Sequence, residues 1–186
     1  MKRKVLLIIG LIALSATILV GFSYLFVLSG AIFMFNSTPP APEIKYGEFP
    51  ISITYELNGE TKIIEDTIIC EFDGFENMGS AGKYRKWKSR LKSKNERLVL
   101  LREEGDMTFE ITTSYGQPDY YMGDLRYESK EEYEKKMSDI RYFGYYQWKE
   151  GEEMESSLIT LDEAWEKYRL KILNIQYSQP IQNSFK

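Results

Sequence analysis

Carboxylates are the side chains with which this sequence could do chemistry. Neighbouring acids such as Glu65 with Asp66, or Glu71 with Asp73, could supply the acid and the base of a hydrolytic reaction. Histidine is absent and Cys70 is the only cysteine, which excludes Ser-His-Asp, Cys-His and Cys/His zinc chemistry. With 28 acidic residues in the chain, such acid pairs arise by number alone. We therefore predict no catalytic residue, no metal ligand and no cofactor, and a protein that is not an enzyme.

Neither nucleotides nor nucleic acids are expected as partners. The sequence has no GxxxxGK[ST] or GxGxxG loop for binding phosphates. Lys2, Arg3 and Lys4 precede the rest of the chain, which holds 21 basic and 28 acidic side chains. Because contacts with phosphate dominate the affinity for nucleic acids, such an acidic domain is a poor nucleic-acid binder.

Basic side chains are concentrated in residues 83–102, which hold nine basic residues and one acidic residue. In a domain that is otherwise strongly acidic, this segment could bind an anionic component of the cell envelope or a protein partner. We predict Lys86, Lys88, Arg90 and Lys92 as part of such an interaction surface. The alternative is that these positive charges offset the acidic remainder of their own domain.

Aromatic side chains are concentrated between residues 115 and 148. Rigid tyrosine rings give contact area at small entropic cost and suit the binding of peptides and sugars, and the loop 120–124 is the expected location. We therefore add Tyr120, Tyr121 and Asp124 to the predicted interaction surface. The alternative is that the aromatic residues belong to the core and to cross-strand pairs, because strands prefer such residues.

An uncharged, apolar run covers residues 5–35, directly after the basic tail formed by residues 1–4. About 20 residues cross the ~30 Å hydrocarbon core of a bilayer, so residues 5–35 are predicted to form a transmembrane helix in contact with lipid. A cleavable signal peptide ending near Ser29-Gly30-Ala31 is the alternative, but the apolar regions of such peptides are only ~7–15 residues long. The positive-inside rule then keeps the N terminus in the cytoplasm and the C-terminal domain outside.

A proline-rich stalk is predicted over residues 36–45, because Pro39, Pro40 and Pro42 prevent a helix from continuing. Residues 46–179 are predicted to form one extracytoplasmic domain. Residues 180–186 are predicted as a C-terminal tail.

A long β-hairpin is predicted at the start of this domain. Residues 49–57 alternate apolar and polar side chains, and Asn58-Gly59 is the strongest short signal for a hairpin turn. Residues 61–72 return as the second strand, in which Cys70 is expected to be a small buried side chain. A loop is predicted over residues 73–82.

The remaining elements are short. A helix is predicted over residues 83–92, where Tyr84, Trp87 and Leu91 share one face, and Trp87 and Trp165 are expected to be largely buried. Further helices are predicted over residues 128–137 and after the capping box of Thr160 and Glu163. Strands are predicted over residues 98–101, 107–113, 142–148 and 170–177. The expected fold is α+β, with one mainly antiparallel, sandwich-like β domain and two or three short helices.

Several segments carry a resemblance to known proteins: EDTIICEFDGF, GKYRKWKSRLKS, YYMGD and QPIQNSF. Together with the basic anchor and the proline-rich stalk, they are similar to a group of small single-span, membrane-anchored proteins of Gram-positive bacteria, over most of residues 46–185. That group has no assigned activity. The resemblance therefore implies a location at the cell membrane and carries over no functional residue.

The sequence thus predicts a single-pass protein of the cell membrane with a non-enzymatic role in binding at the outer envelope. The alternative is a carboxylate-dependent hydrolase of the envelope. A hydrolase needs two carboxylates that converge in one concave pocket. A binding module instead needs an exposed aromatic or basic surface.

Overall fold

A computed structural model describes residues 15, 17–25, 38–77, 82–125 and 129–186. These residues form eight strands and, besides the helical residues 17–25, three short helices. The strands are β1 (Tyr46–Leu57), β2 (Glu60–Asn77), β3 (Lys83–Leu91), β4 (Leu98–Glu103), β5 (Thr108–Thr113), β6 (Tyr142–Trp148), β7 (Glu155–Thr160) and β8 (Leu170–Tyr177). The helices are α1 (Pro118–Tyr121), α2 (Lys130–Ser138) and α3 (Leu161–Tyr168). The predicted α+β class with antiparallel sheets is confirmed.

The chain divides into two units. The first comprises the described residues of Met1–Pro40 together with Gly74–Lys86, and the second comprises Ala41–Asp73 together with Trp87–Lys186. The second unit contains the predicted hairpin, residues 49–72, and the aromatic strand β6.

The first unit contains the helical residues 17–25, whose large apolar side chains are exposed. No helix among the described residues is both long and apolar enough to span a membrane. Most of the predicted transmembrane segment, residues 5–35, lies outside the described residues, and so does the alternative cleavage site Ser29-Gly30-Ala31.

The first sheet has the strand order β3-β2-β1-β8. Asn58 and Gly59 connect β1 to β2 with φ values of 54° and 82°, and a two-residue type I′ turn requires positive φ at both positions. The turn sets the register of the pair, in which Leu57 lies opposite Glu60. The predicted hairpin is therefore confirmed.

The strand β2 is longer than the sequence predicts. It continues through Asn77 with β3 beside it in the sheet, so the prediction of a loop is wrong for residues 73–77. Residues 78–81 of that predicted loop lie outside the described residues. Cys70, within β2, is fully buried as predicted.

The segment predicted as a helix over residues 83–92 is the strand β3, and the helix prediction is wrong. Arg85, Trp87 and Leu91 are buried, whereas Lys88 and Arg90 between them are exposed. This alternation has the period of two that places successive side chains on opposite faces of a sheet. The helical spacing of the apolar residues was compatible with a helix, but the alternating charges fit an edge strand better.

The second sheet has the order β4-β5-β6-β7, and its strands pair antiparallel. β4, β5 and β6 lie where the sequence predicts strands. β7 was not predicted. It is an edge strand that buries none of its residues, so its sequence, ESSLIT, shows no apolar periodicity.

Both sheets contribute to one hydrophobic core. Its fully buried members include Ile53 and Ile68 from the first sheet and Ile111 and Phe143 from the second. Each large apolar side chain that leaves water stabilises the fold by about 1.5–3 kcal/mol. Because Cys70 is a free cysteine, we attribute the stability of the domain to the packing of this core.

The helix α3 begins at the predicted capping box. The Thr160 hydroxyl accepts a hydrogen bond from the Glu163 backbone N–H, and the Glu163 carboxylate accepts one from the Thr160 backbone N–H. Ala164 is the buried residue of the helix, whereas Trp165 is 39% exposed, so the prediction of a buried Trp165 is wrong. Trp165 lies to the side of the buried face, and the Arg169 guanidinium covers its ring at 5.5 Å.

The C-terminal residues 181–186, here called the C-terminal strap, return to the start of the domain. Ala41 and Lys186 exchange two backbone hydrogen bonds of 3.0 and 2.9 Å. Asn183 bonds the backbone N–H and C=O of Ile44 through its side-chain amide, at 3.0 and 2.8 Å. The end of the predicted stalk and the predicted C-terminal tail are therefore paired with each other as part of the folded domain.

Candidate functional site

The four cations of the predicted interaction surface lie on β3 and the turn after it, and each one is in an ion pair. The pairs are Lys86 with Glu76 (3.3 Å), Lys88 with Asp73 (2.6 Å), Arg90 with Glu71 (3.4 Å) and Lys92 with Glu48 (2.8 Å). The hydrogen bond from Lys92 holds the pKa of the Glu48 carboxyl below its usual value. The positive charges are thus matched by carboxylates of their own sheet, as the alternative interpretation of the basic segment expects.

The tyrosine loop of the predicted interaction surface lies in the core. Tyr120, Tyr121 and Asp124 are 1%, 0% and 1% exposed. Tyr120 donates a hydrogen bond to Glu134 (3.2 Å), and Tyr121 donates one to the Tyr115 carbonyl (2.8 Å). Burial raises the pKa of Tyr120 to about 12. The prediction that these three residues form an exposed surface is wrong, because all three are buried in the core.

The C-terminal strap covers this loop. The Ile181 backbone N–H bonds the Tyr121 carbonyl at 3.0 Å, and the Asn183 amide bonds the Met122 carbonyl at 3.1 Å. Gly123, at φ 68°, comes so close to the strap that an added Cβ would lie 2.4 Å from the Ile181 carbonyl oxygen. The loop and the strap are far apart in the sequence. Local sequence patterns therefore predicted an exposed loop.

Most other aromatic residues of this stretch form core and cross-strand contacts. Phe143 is fully buried, and the rings of Tyr145 and Phe109 stack with centroids 5.7 Å apart. The Arg97 guanidinium lies 3.9 Å from the centroid of the Tyr146 ring. Tyr127 lies outside the described residues.

The acid pairs considered for catalysis are held in other contacts. Glu71 and Asp73 each pair with a cation of β3. Asp66 accepts hydrogen bonds from the Thr67 backbone N–H (2.6 Å) and from the backbone and hydroxyl of Ser93 (3.3 and 2.5 Å). Glu65 and Asp66 border an open groove of about 650 Å³ across β1, β2 and β8. This groove is where the hydrolase alternative would have to work.

A second cleft, of about 400 Å³, lies between α2, the residues that follow it and the end of β8. We call it the tyrosine cleft and define it by three aromatic and three charged residues: Tyr133, Tyr142, Tyr177, Lys136, Asp139 and Arg141. Ser114 and Gln117 add polar groups to the lining. A concave site of this volume, with a few convergent polar groups, is the usual form of a small-molecule site.

Local sequence explains how α2 positions its side of the cleft. Ser129 and Glu132 form a reciprocal capping box that begins the helix. Tyr133 and Met137 lie one turn apart on the same helix face and both line the cleft. The Tyr177 hydroxyl donates a hydrogen bond to the Met137 carbonyl at 3.0 Å, which fastens the end of β8 to the end of α2.

Two of the three charged groups of the tyrosine cleft, Asp139 and Arg141, form an ion pair. Nε and Nη2 of Arg141 donate hydrogen bonds of 2.9 and 2.5 Å to the same oxygen, Oδ2, of Asp139. These bonds hold the pKa of Asp139 below and that of Arg141 above the usual values. With Lys136 beside them, the lining carries one more positive than negative charge.

Tyr177 also lines the cleft and is neutral near pH 7. Burial raises its pKa to about 12. Tyr142, by contrast, is 54% exposed and lies at the start of β6, where its ring is available to a ligand.

Sequence reasoning missed most of the tyrosine cleft. Tyr142 was among the aromatic residues considered, but Tyr133, Lys136, Arg141 and Tyr177 were not singled out. The only local signal is the cluster of charged and aromatic residues over 133–142. Tyr177 could not be added to it without knowing that β8 ends beside α2. Among the described residues, no three acidic or cysteine side chains are grouped so as to hold a metal ion.

Comparison with known proteins gives no relative. No family model matches the chain, and neither a curated protein nor a solved structure is similar to it. The resemblance to membrane-anchored proteins of Gram-positive bacteria therefore stays a prediction.

Proposed function

We propose that this chain is a single-pass protein of the cell membrane that carries one sandwich-like binding domain on the outer face of the envelope, like the Gram-positive proteins it resembles. Residues 5–35 would span the bilayer, and the domain would recognise an envelope component without transforming it. The single observation that supports the proposed membrane anchor is the long uncharged run that follows Lys2, Arg3 and Lys4 in the sequence.

The described part of this run supports the proposal. Residues 17–25 are helical, and their large apolar side chains are 60–73% exposed: Ile18, Leu19, Val20, Phe22, Tyr24 and Leu25. Such a continuous apolar surface is unfavourable in water and suits contact with lipid. The basic residues ahead of it favour an N terminus in the cytoplasm.

A binding role is supported by the tyrosine cleft more than by the surfaces predicted from sequence. The cations of β3 are matched by carboxylates, and Tyr120 and Tyr121 are buried. The tyrosine cleft combines an exposed ring, Tyr142, with an oriented guanidinium, Arg141. Asp139 is the single carboxylate of its described lining and is already paired, so this lining lacks the two converging acids of a glycosidase.

Membrane topology is tested with a reporter that is active only outside the cytoplasm. Fused after Lys186, it should be active, and the protein should remain in the membrane fraction after a carbonate wash. The mature protein should keep residues 1–35. A mature N terminus at Ile32 would show that the apolar run is a cleaved signal peptide.

The binding role is tested by capture of envelope material with the detergent-solubilised full-length protein. Wild-type protein should retain a component that the variant Arg141→Gln loses, while Lys149→Gln, an exposed change at the other end of β6, should retain it. If Glu65→Gln instead abolished the release of a soluble product from envelope preparations, the hydrolase alternative at the groove would replace this proposal.

A further inference from the structure

We propose that the tyrosine cleft binds an acidic sugar, a ligand that carries a carboxylate next to sugar hydroxyls. This inference rests on the proposed function in one respect, since it takes the ligand from the outer envelope. It goes further in naming the chemical class of the ligand and the side chains that recognise it.

Arg141 supplies the group that recognises the carboxylate. A guanidinium has five N–H donors in a rigid fork, and Asp139 occupies only the Nε and Nη2 side of it. The Arg141 side chain is 72% exposed, so the remaining donors can reach a ligand. The pair with Asp139 fixes the orientation of the fork, which lowers the entropy lost on binding.

Asp139 makes the cleft selective for more than a negative charge. Both hydrogen bonds from Arg141 end on Oδ2, and Oδ1 accepts none from the described residues. This oxygen repels a bare carboxylate but accepts hydrogen bonds from hydroxyl groups. The neighbouring donor and acceptor therefore fit a ligand that offers a carboxylate and hydroxyls side by side, as an acidic sugar does.

The rings of the cleft supply the flat surface that a sugar needs. Tyr142 is 54% exposed at the start of β6, and the half-buried Tyr177 is held by its hydrogen bond to the Met137 carbonyl. Ordered rings give contact area at small entropic cost. Ser114 and Gln117 also line the cleft and add donors and acceptors for further hydroxyls.

The size of the cleft separates this ligand from a peptide. A volume of about 400 Å³ lies at the lower end of small-molecule sites. A peptide bound in extended form pairs with several consecutive residues of a strand edge. The cleft is instead lined by α2, by loop residues 114, 116–117 and 139–141, and by a single end residue each of β6 and β8, Tyr142 and Tyr177. A peptide that ends in a carboxylate would satisfy Arg141 but would leave Asp139 Oδ1 without a hydroxyl.

The test is a ligand-observed NMR titration of the detergent-solubilised full-length protein with three probes: glucuronic acid, glucose and a short peptide with a C-terminal carboxylate. Glucuronic acid should bind with a dissociation constant on the order of 1 mM, as expected for a single small ring. Glucose should bind at least about tenfold more weakly, because it lacks the charge-assisted hydrogen bond to Arg141.

Two variants and one control make the outcome specific. Arg141→Gln should weaken the binding of glucuronic acid about tenfold and leave that of glucose unchanged. Tyr142→Ala should weaken both sugars by a similar factor. Both residues are exposed, so the variants should fold, which a melting curve verifies. Lys149→Gln removes one positive charge at the far end of β6 and should change neither sugar.

Each other result overturns the proposal. The assignment of an acidic sugar to the cleft would be wrong in any of four cases. These are equal binding of the two sugars, no binding of glucuronic acid, an unchanged affinity of Arg141→Gln for glucuronic acid, and tighter binding of the peptide than of glucuronic acid. The membrane fractionation described above is read independently. If the protein is found in the membrane fraction but does not bind glucuronic acid, the proposed ligand is wrong and the proposed membrane anchor stands. If it binds glucuronic acid but is found outside the membrane fraction, the proposed anchor is wrong and the proposed ligand stands.

Discussion

The indole Nε1 of Trp87 donates a hydrogen bond of 2.9 Å to Oδ2 of Asp124, and both residues are buried. The bond joins the edge strand β3 to the loop that follows α1. A carboxylate in the core is stable only if it is well paired, and one of its partners here is the N–H of the tryptophan ring. The pair therefore ties the first sheet to the loop beneath the C-terminal strap.

We predict that Asp124→Ala destabilises the protein by about 1–3 kcal/mol, because it leaves the buried Trp87 N–H without an acceptor. Asp124→Asn keeps an oxygen at this position and should cost less. Denaturant unfolding followed by tryptophan fluorescence measures both values. A loss in Asp124→Ala no larger than in Asp124→Asn would mean that the Trp87 bond contributes little.

Asn183 is predicted to be the principal polar contact of the C-terminal strap. Its amide makes hydrogen bonds to both backbone groups of Ile44 and to the Met122 carbonyl. Asn183→Ala should lower the free energy of unfolding by about 1–3 kcal/mol, since a net hydrogen bond contributes about 1 kcal/mol. Gln182→Ala, an exposed change in the same segment, is the matched control. Equal stability of the two variants would contradict the assignment.

Much of the fold could be predicted because its signals are local. The Asn58-Gly59 pair by itself predicts a type I′ turn, since few other residues accept positive φ at both positions. The capping box of Thr160 and Glu163 likewise needs only residues within one turn. The helix prediction for segment 83–91 was wrong because the spacing of its apolar residues is compatible with both a helix and a strand. The acidic residues of β2, which pair with the cations of this segment, favour the strand.

The candidate site could not be predicted from such local signals. Tyr142 and Tyr177 meet in one cleft only because β8 belongs to the first sheet and ends beside α2. In the same way, the Tyr121 carbonyl is bonded by the backbone N–H of Ile181, which belongs to the C-terminal strap and is distant in the sequence. A tyrosine in a Gly/Asp-containing loop looks exposed unless the segment that covers it is known.

The Cys70 thiol is predicted to be unreactive in the folded protein. The residue is fully buried in β2, and burial raises its pKa to about 12. The thiolate is the nucleophile, so Ellman's reagent should give almost no signal near neutral pH and one thiol per chain after denaturation, since Cys70 is the only cysteine. Rapid reaction without denaturant would show that β2 opens locally.

The start of α3 is predicted to depend on pH through Glu163. Hydrogen bonds from the Thr160 backbone and hydroxyl hold the pKa of this carboxyl below its usual value of 4.5. A depressed pKa in the folded state contributes stability that is fully present above the usual value and is lost as the pH falls through the folded pKa. The melting temperature of the wild type should therefore fall more steeply below pH ~4.5 than that of Glu163→Gln. Glu166→Gln, in the same helix but away from its N terminus, should follow the wild type.

The ion pairs of β3 are predicted to stabilise the first sheet more than they bind anions. Replacing Lys86, Lys88, Arg90 and Lys92 by Gln removes one cationic partner from each of four carboxylates of the same sheet. Single surface pairs contribute little, but removing four positive charges beside a row of acids increases the repulsion among those acids, so the melting temperature should fall by several degrees at low salt. Because salt screens exposed charges, the difference from the wild type should shrink as the ionic strength rises. If the variant melted like the wild type while losing attachment to anionic vesicles, β3 would be an interaction surface after all.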